Sequence, residues 1–251
     1  MSKDFMNKRA FAASGLAALA FSLSMAAPAA AISTASGAAA TDVANNAAAQ
    51  ATLKRLQTRG NAEISRRLTS LNKLAGVIRS TAKLSATDKS DLTSQVSGEI
   101  SDLTALKTKL DADTTAGDAQ TDAQSIITNY RVYALVLPKV YLLKTADAEL
   151  TNSAKLSTLA GKLQTRITAT KNQGKDVTSL QSSLDDMNSQ ISAAQDLANA
   201  VDTAVAPLQP TDYDSDHSIL EGQRSQLQTA HQDNQAAYAD ARTIVSGLKS
   251  L

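Results

Sequence analysis

A chain of 251 residues in which Lys and Arg number 25 against 24 Asp and Glu carries no basic footprint, which excludes nucleic acid as its main partner. Tryptophan is absent and all three phenylalanines (Phe5, Phe11, Phe21) precede residue 32, so surfaces for stacking bases or sugars are poorly supplied. A cysteine count of 0 excludes a thiol nucleophile and a disulfide framework, leaving stability to helix packing.

Lys3, Lys8 and Arg9 precede an apolar run from Ala10 to Met25, and Ala29-Ala30-Ala31 offers small side chains to a signal peptidase. This pattern predicts a signal peptide over 1–31 and export, with a retained membrane anchor as the competing reading. Without residues 1–31 the two signs of charge stand within one of balance. Residues 32–50 are small, polar and alanine-rich, and read as a flexible linker or the frayed end of a helix.

Ile64, Leu68, Leu71, Ala75 and Ile78 mark a first helix interrupted only by Gly60, and Leu92, Val96, Ile100, Leu103, Leu106 and Leu110 mark a second. Between them Ser85-Ala86-Thr87-Asp88 has the form of a capping box. So short a connection predicts an antiparallel hairpin. The polar stretch 111–122 with Gly117 reads as a loop, and 121–129 as a short helix. Residues 130–137 (Tyr-Arg-Val-Tyr-Ala-Leu-Val-Leu) are aromatic and β-branched without a clean helical stripe, and Pro138 disfavours helix at Leu137. An extended or kinked crossing segment leading into a helix that starts at Pro138 is expected, against a proline-kinked continuous helix. Asn129, Arg131 and Lys139 make the surrounding apolar stretch unsuitable as a membrane span.

In the next helix Val140, Leu143, Ala146 and Leu150 lie on one side, and Leu156, Leu159, Leu163 and Ile167 on nearly the opposite one. Its two halves therefore face different neighbours: the first the hairpin and crossing segment, the second two C-terminal helices. Asn172-Gln173-Gly174 ends it, and Asp176 caps the next. That helix has the longest stripe in the chain, Val177, Leu180, Leu184, Met187, Ile191, Ala194, Ala198, Val201 and Val205. After Pro207 and Pro210 a last seam runs through Leu220, Arg224, Leu227, His231, Asn234, Tyr238, Ala241, Val245 and Leu248. The fold class is all-α: an elongated, coiled-coil-like antiparallel bundle, with a hairpin and crossing segment over 51–137 and a three-helix bundle over 138–251.

The run Tyr130 to Lys139, placed after Arg59-Gly60-Asn61 and Ile64 and followed by Ala146-Asp147, resembles a group of uncharacterised exported helical proteins of bacteria, notably of candidate phyla. The resemblance implies export, an all-helical body and no established activity, and it transfers no site residue.

Residues with chemistry to offer are few. Asp212, Asp214 and Asp216 alternate as at the start of a calcium loop, but His217 and Gln223 stand where an EF-hand needs Gly and Glu, so helix capping is the simpler reading. His217 and Glu221 lie one turn apart, and two ligands are not a zinc site. Asp185-Asp186, or Asp111 with Asp113, form paired carboxylates without an aromatic cleft. No metal, cofactor or catalytic residue is assigned. Tyr130, Arg131 and Tyr133 are the interaction candidates, set against a core role that the apolar Val132, Leu135, Val136 and Leu137 favour. The expected function is an exported structural or protein-interaction module of the cell envelope, extracellular or envelope-associated and not an enzyme. Its partner would be a protein or envelope component, with self-association through the helical seams. The alternative is an envelope membrane-interface protein using Arg59, Arg66, Arg67, Lys73 and Arg79.

Overall fold

The computed structural model describes residues 36–251, with side chains from Ala44. The signal peptide expected over 1–31 lies outside the described residues. Seven α-helices and one π turn follow in order, with no strand among the described residues: α1 Ser36–Ser80, α2 Ala86–Ala112, α3 Ala116–Thr128, the π turn Val132–Val136, α4 Leu137–Asn172, α5 Thr178–Val205, α6 Asp212–Ser215 and α7 Gln223–Ser250. Helix α1 already begins at Ser36, inside the stretch read as a linker. Alanine has the highest helix propensity, and it outweighs the small polar residues around it.

The hairpin of α1 and α2 turns where the capping box places it. Asp88 N donates to Ser85 Oγ at 3.1 Å and the Ser85 hydroxyl returns to Asp88 Oδ2 at 3.0 Å. At the far end Gln57 Nε2 of α1 donates to the carbonyls of Leu110 (3.0 Å) and Asp113 (3.1 Å), satisfying acceptors that the end of α2 leaves open. The loop expected over 111–122 is shorter than that, because Thr115 caps α3 by accepting from Asp118 N. Gly117 therefore sits in a helix.

The crossing segment is a correction to the extended reading. Arg131 takes a left-handed conformation (φ 39, ψ 33), and the chain then winds as a π turn directly into α4. Val136 N and Leu137 N reach back five residues, to the carbonyls of Arg131 and Val132. Pro138, near the start of α4, explains this: it has no N–H for the Ala134 carbonyl and its ring crowds that oxygen, so the preceding turn widens. Val132, Leu135 and Val136 are buried, as their apolarity requires.

The face change in α4 divides the core in two. Val140, Leu142, Leu143 and Ala146 join the hairpin, Ile126 of α3, Val132 and Val136, and the end of α5 (Ala198, Val201, Val205) in one cluster. Leu156, Ala160, Leu163 and Ile167 join Leu180, Leu184, Met187 and Ile191 of α5 and Ala237, Ala241 and Ile244 of α7 in the other. Burying each large side chain stabilises by about 1.5–3 kcal/mol. The seam of α7 departs from the expected one: Ala230, Ala237 and Ile244 are buried, whereas His231, Tyr238 and Val245 are exposed.

Candidate functional site

Between the two apolar clusters lies a polar layer. Glu149, Ser153 and Asn234 are buried and belong to neither cluster. Asn234 Nδ2 of α7 donates to the Glu149 carbonyl (3.2 Å) and to Glu149 Oε2 (2.9 Å). The Ser153 hydroxyl lies 2.9 Å from Asn234 Oδ1 and 3.0 Å from the Glu149 carbonyl, and donates to one or the other. Glu149 Oε1 is 3.0 Å from Nδ1 of His231, whose ring stands at the surface and meets Gln235 on its other nitrogen.

From this layer an open furrow runs along the surface between α4 and α7. These two helices meet less closely than either meets α5. A hollow of about 560 Å³ that reaches His231 and Asn234 at one end adjoins a second of about 340 Å³ that reaches Lys249 at the other. Leu159, Tyr238 and Arg242 line both. Its floor is apolar, through Leu156, Leu159, Ala241 and Val245, and every charged side chain lining it is a cation: Lys155, Arg242 and Lys249. Among the described residues none of these three pairs with a carboxylate. The α7 carboxylates Asp233 and Asp240 lie fourteen and seven residues before Gly247, so they share its flank. That flank meets α5, where a Cβ on Gly247 would strike Leu180.

The interaction candidates Tyr130, Arg131 and Tyr133 fall into separate roles. Tyr130 is half-buried against the hairpin core, and burial, with Asp102, Glu99 and Asp122 nearby, raises its phenol above the ordinary value. Arg131 Nε donates to Asp214 Oδ1 at 2.8 Å and the guanidinium lies 5.6 Å from the Tyr213 ring. Tyr133, expected in the core, is 45% exposed. Its ring lies 5.3 Å from the Arg67 guanidinium and its hydroxyl 3.2 Å from Ser70 Oγ. Tyr133 directly follows Val132 and stands two residues before Leu135, and a helical turn cannot bury all three.

The aspartates singled out as an ion site are each engaged by the protein. Asp214 holds Arg131, Asp212 Oδ2 accepts from Gln209 N (2.7 Å), and Asp216 Oδ1 accepts from Ser218 N (2.8 Å) and Oγ (2.6 Å). Those Ser218 hydrogen bonds lower the Asp216 carboxyl below its usual range. Among the described residues no group of three or more His, Asp or Glu side chains is arranged to hold a metal. His217 packs edge-on against Tyr213, with ring centroids 4.9 Å apart.

A third polar feature ties the hairpin to the bundle. Asp147 Oδ2 of α4 accepts from Ser85 N at 2.6 Å. Burial raises its carboxyl to about 6, and Asp88 and Asp202 crowd it further. Nearby, the buried Lys139 donates to Gln95 Oε1 and to the Leu208 carbonyl, both at 2.8 Å, and burial lowers its pKa.

No protein-family model, curated protein or solved structure matches the chain. No helix among the described residues is long and apolar enough to cross a membrane.

Sequence reasoning missed the furrow because its parts come from two helices whose stripes were read separately. One signal was available. The half of α4 after Glu149 carries Lys155, Lys162, Arg166 and Lys171 and no carboxylate, whereas α5 carries Asp185, Asp186, Asp196 and Asp202 and no cation.

Proposed function

We propose that the protein is an exported protein-interaction module of the cell envelope, a helical bundle that presents the α4–α7 furrow to a partner. The observation that carries this reading is the exposed apolar side of the furrow: Tyr238 is 56% exposed and Val245 37% exposed, beside Leu159 and between cations. Exposed apolar surface rimmed by polar groups marks binding sites, and Tyr and Arg are the side chains that most often carry binding energy. Export rests on the pattern of residues 3–31 and agrees with the resemblance of residues 130–139 to exported bacterial proteins. The membrane-interface alternative has less support, since Arg66 and Arg67 both bind Glu63 at 2.7 Å and Arg67 is buried.

A photo-crosslinking amino acid placed at Tyr238 in intact cells tests the reading. Discrete protein adducts are expected from position 238 and not from the exposed Ser182 of α5. Equal yields from both positions, or none from 238, would overturn it.

A further inference from the structure

The furrow specifies the chemistry of what fills it. On α7 its apolar and aromatic positions Tyr238, Ala241 and Val245 follow helical spacing, with Arg242 and Lys249 beside them. Tyr238 to Lys249 spans about 16 Å, or three turns. A groove of that length between two helices is the place a further helix would occupy, laying an apolar stripe into it. The lining carries one sign of charge only, with Lys155 on the α4 side and Arg242 and Lys249 on the α7 side.

Resting on the interaction reading above, we infer that the α4–α7 furrow binds an amphipathic helix of another protein whose apolar stripe is flanked by Asp and Glu. Carboxylates beside the stripe would meet Lys155, Arg242 and Lys249 while Leu159 and Val245 are covered. Opposite charges at the rim set orientation and on-rate, and like charges reject wrong partners. A second copy of the chain is a poorer occupant: the exposed carboxylates Asp185, Asp186 and Asp196 of α5 match the charge, but the exposed apolar side chains among them are only alanines such as Ala193 and Ala200. A vesicle surface is poorer still, because a flat surface does not enter a furrow between two helices.

The test uses the full chain and two labelled synthetic peptides with the same leucine stripe at i, i+3, i+4 and i+7, one flanked by Glu and one by Lys. Fluorescence anisotropy should show saturable binding of the Glu peptide, weakened by salt, and none of the Lys peptide. Lys155→Glu and Arg242→Glu should each weaken the Glu peptide by about ten-fold or more, and the double variant should gain the Lys peptide. Both side chains are exposed, so circular dichroism melts of the variants should match the parent. Equal binding of the two peptides, or binding unchanged in both variants, would overturn the inference. So would sedimentation showing self-association, or flotation with phosphatidylglycerol vesicles, that Arg242→Glu abolishes while the Glu peptide fails to bind. If the peptide fails yet position 238 still yields protein adducts in cells, the interaction reading stands and the acidic-helix inference falls.

Discussion

Asn234 grips Glu149 at two points, donating to its backbone carbonyl at 3.2 Å and to its carboxylate at 2.9 Å. The apolar clusters on either side are built largely of Leu, Ile, Val and Ala, which tolerate sliding by a turn. The polar layer does not. A shift of α7 by one turn would strand a buried amide and a buried carboxylate without partners, so this layer fixes the register of the helices that form the furrow.

Asn234→Ala should accordingly cost about 2–4 kcal/mol, because it leaves Glu149 and Ser153 buried with lost partners. His231→Leu takes one contact from Glu149 Oε1 and leaves Asn234 on Oε2, so it should cost less, about 1 kcal/mol. Urea unfolding of both variants measures the contrast, and equal effects would show that the layer does not act as described.

A second contrast concerns glycines in helices. Gly76 and Gly98 have nothing within 4 Å of where a Cβ would stand, while at Gly60 a Cβ would meet Leu110 and at Gly247 it would meet Leu180. Gly76→Ala and Gly98→Ala should stabilise by about 0.5–1 kcal/mol through helix propensity. Gly60→Ala and Gly247→Ala should destabilise by about 1–3 kcal/mol through overpacking. Thermal denaturation of the four variants gives the signs directly.

The sequence made some of this architecture readable and hid the rest for physical reasons. Every position in the long stripe of α5, from Val177 to Val205, is buried, because large apolar residues alternate there with Ser, Asp, Asn and Gln. In α7 the contrast is low. Ala230, Ala237 and Ala241 face the core, and alanine fits either face, so the larger Tyr238 and Val245 drew the predicted seam a residue too far round the helix. The opposed stripes of α4 were legible as two different sets of neighbours. What those neighbours leave open between α4 and α7 was not, since a furrow belongs to the packing of two helices and not to either sequence.

The exposure of Tyr133 sets a third expectation. Tyr133→Ala should cost no more than about 2 kcal/mol, the scale of one cation–π contact with a desolvated cation, here the buried Arg67, whereas Leu135→Ala, at a fully buried position, should cost about 2–5 kcal/mol. Chemical denaturation distinguishes them. A loss of more than about 3 kcal/mol at Tyr133, the scale of a buried aromatic, would return that ring to the core.

Arg131 combines a left-handed backbone with an ion pair to Asp214. Arg131→Ala loses the pair and keeps the strain, while Arg131→Gly loses the pair and relieves it. The glycine variant should therefore be the more stable of the two by about 1 kcal/mol, read from their melting temperatures. If alanine is the more stable, the π turn does not require the left-handed residue before it.

The last expectation is a stability profile that rises as the solution becomes mildly acidic. Burial raises Asp147 to about 6 and Glu99 to about 7, with Asp88 and Asp102 respectively adding repulsion. Both exceed the ordinary values of 3.8 and 4.5, so between those limits the folded protein binds more protons than the unfolded chain. Stability therefore falls as pH rises through that window, and the contribution of protonation is complete only below the ordinary values. Asp111, Asp176 and Asp216 are shifted the other way, by hydrogen bonds from Lys107 and Asn61, from Thr178 and from Ser218. Their contribution is lost on further acidification below the usual carboxylate range. The melting temperature should thus climb from pH 8 to about 5 and drop below about 4. Asp147→Asn keeps an oxygen for Ser85 N and removes the buried charge, and Glu99→Gln does the same for an oxygen, Glu99 Oε2, that has no partner. Each variant should be more stable than the parent at pH 8 and lose that advantage by about pH 4. A melting temperature that rises steadily from pH 5 to 8, with both variants tracking the parent, would show that neither carboxyl is held protonated by the fold.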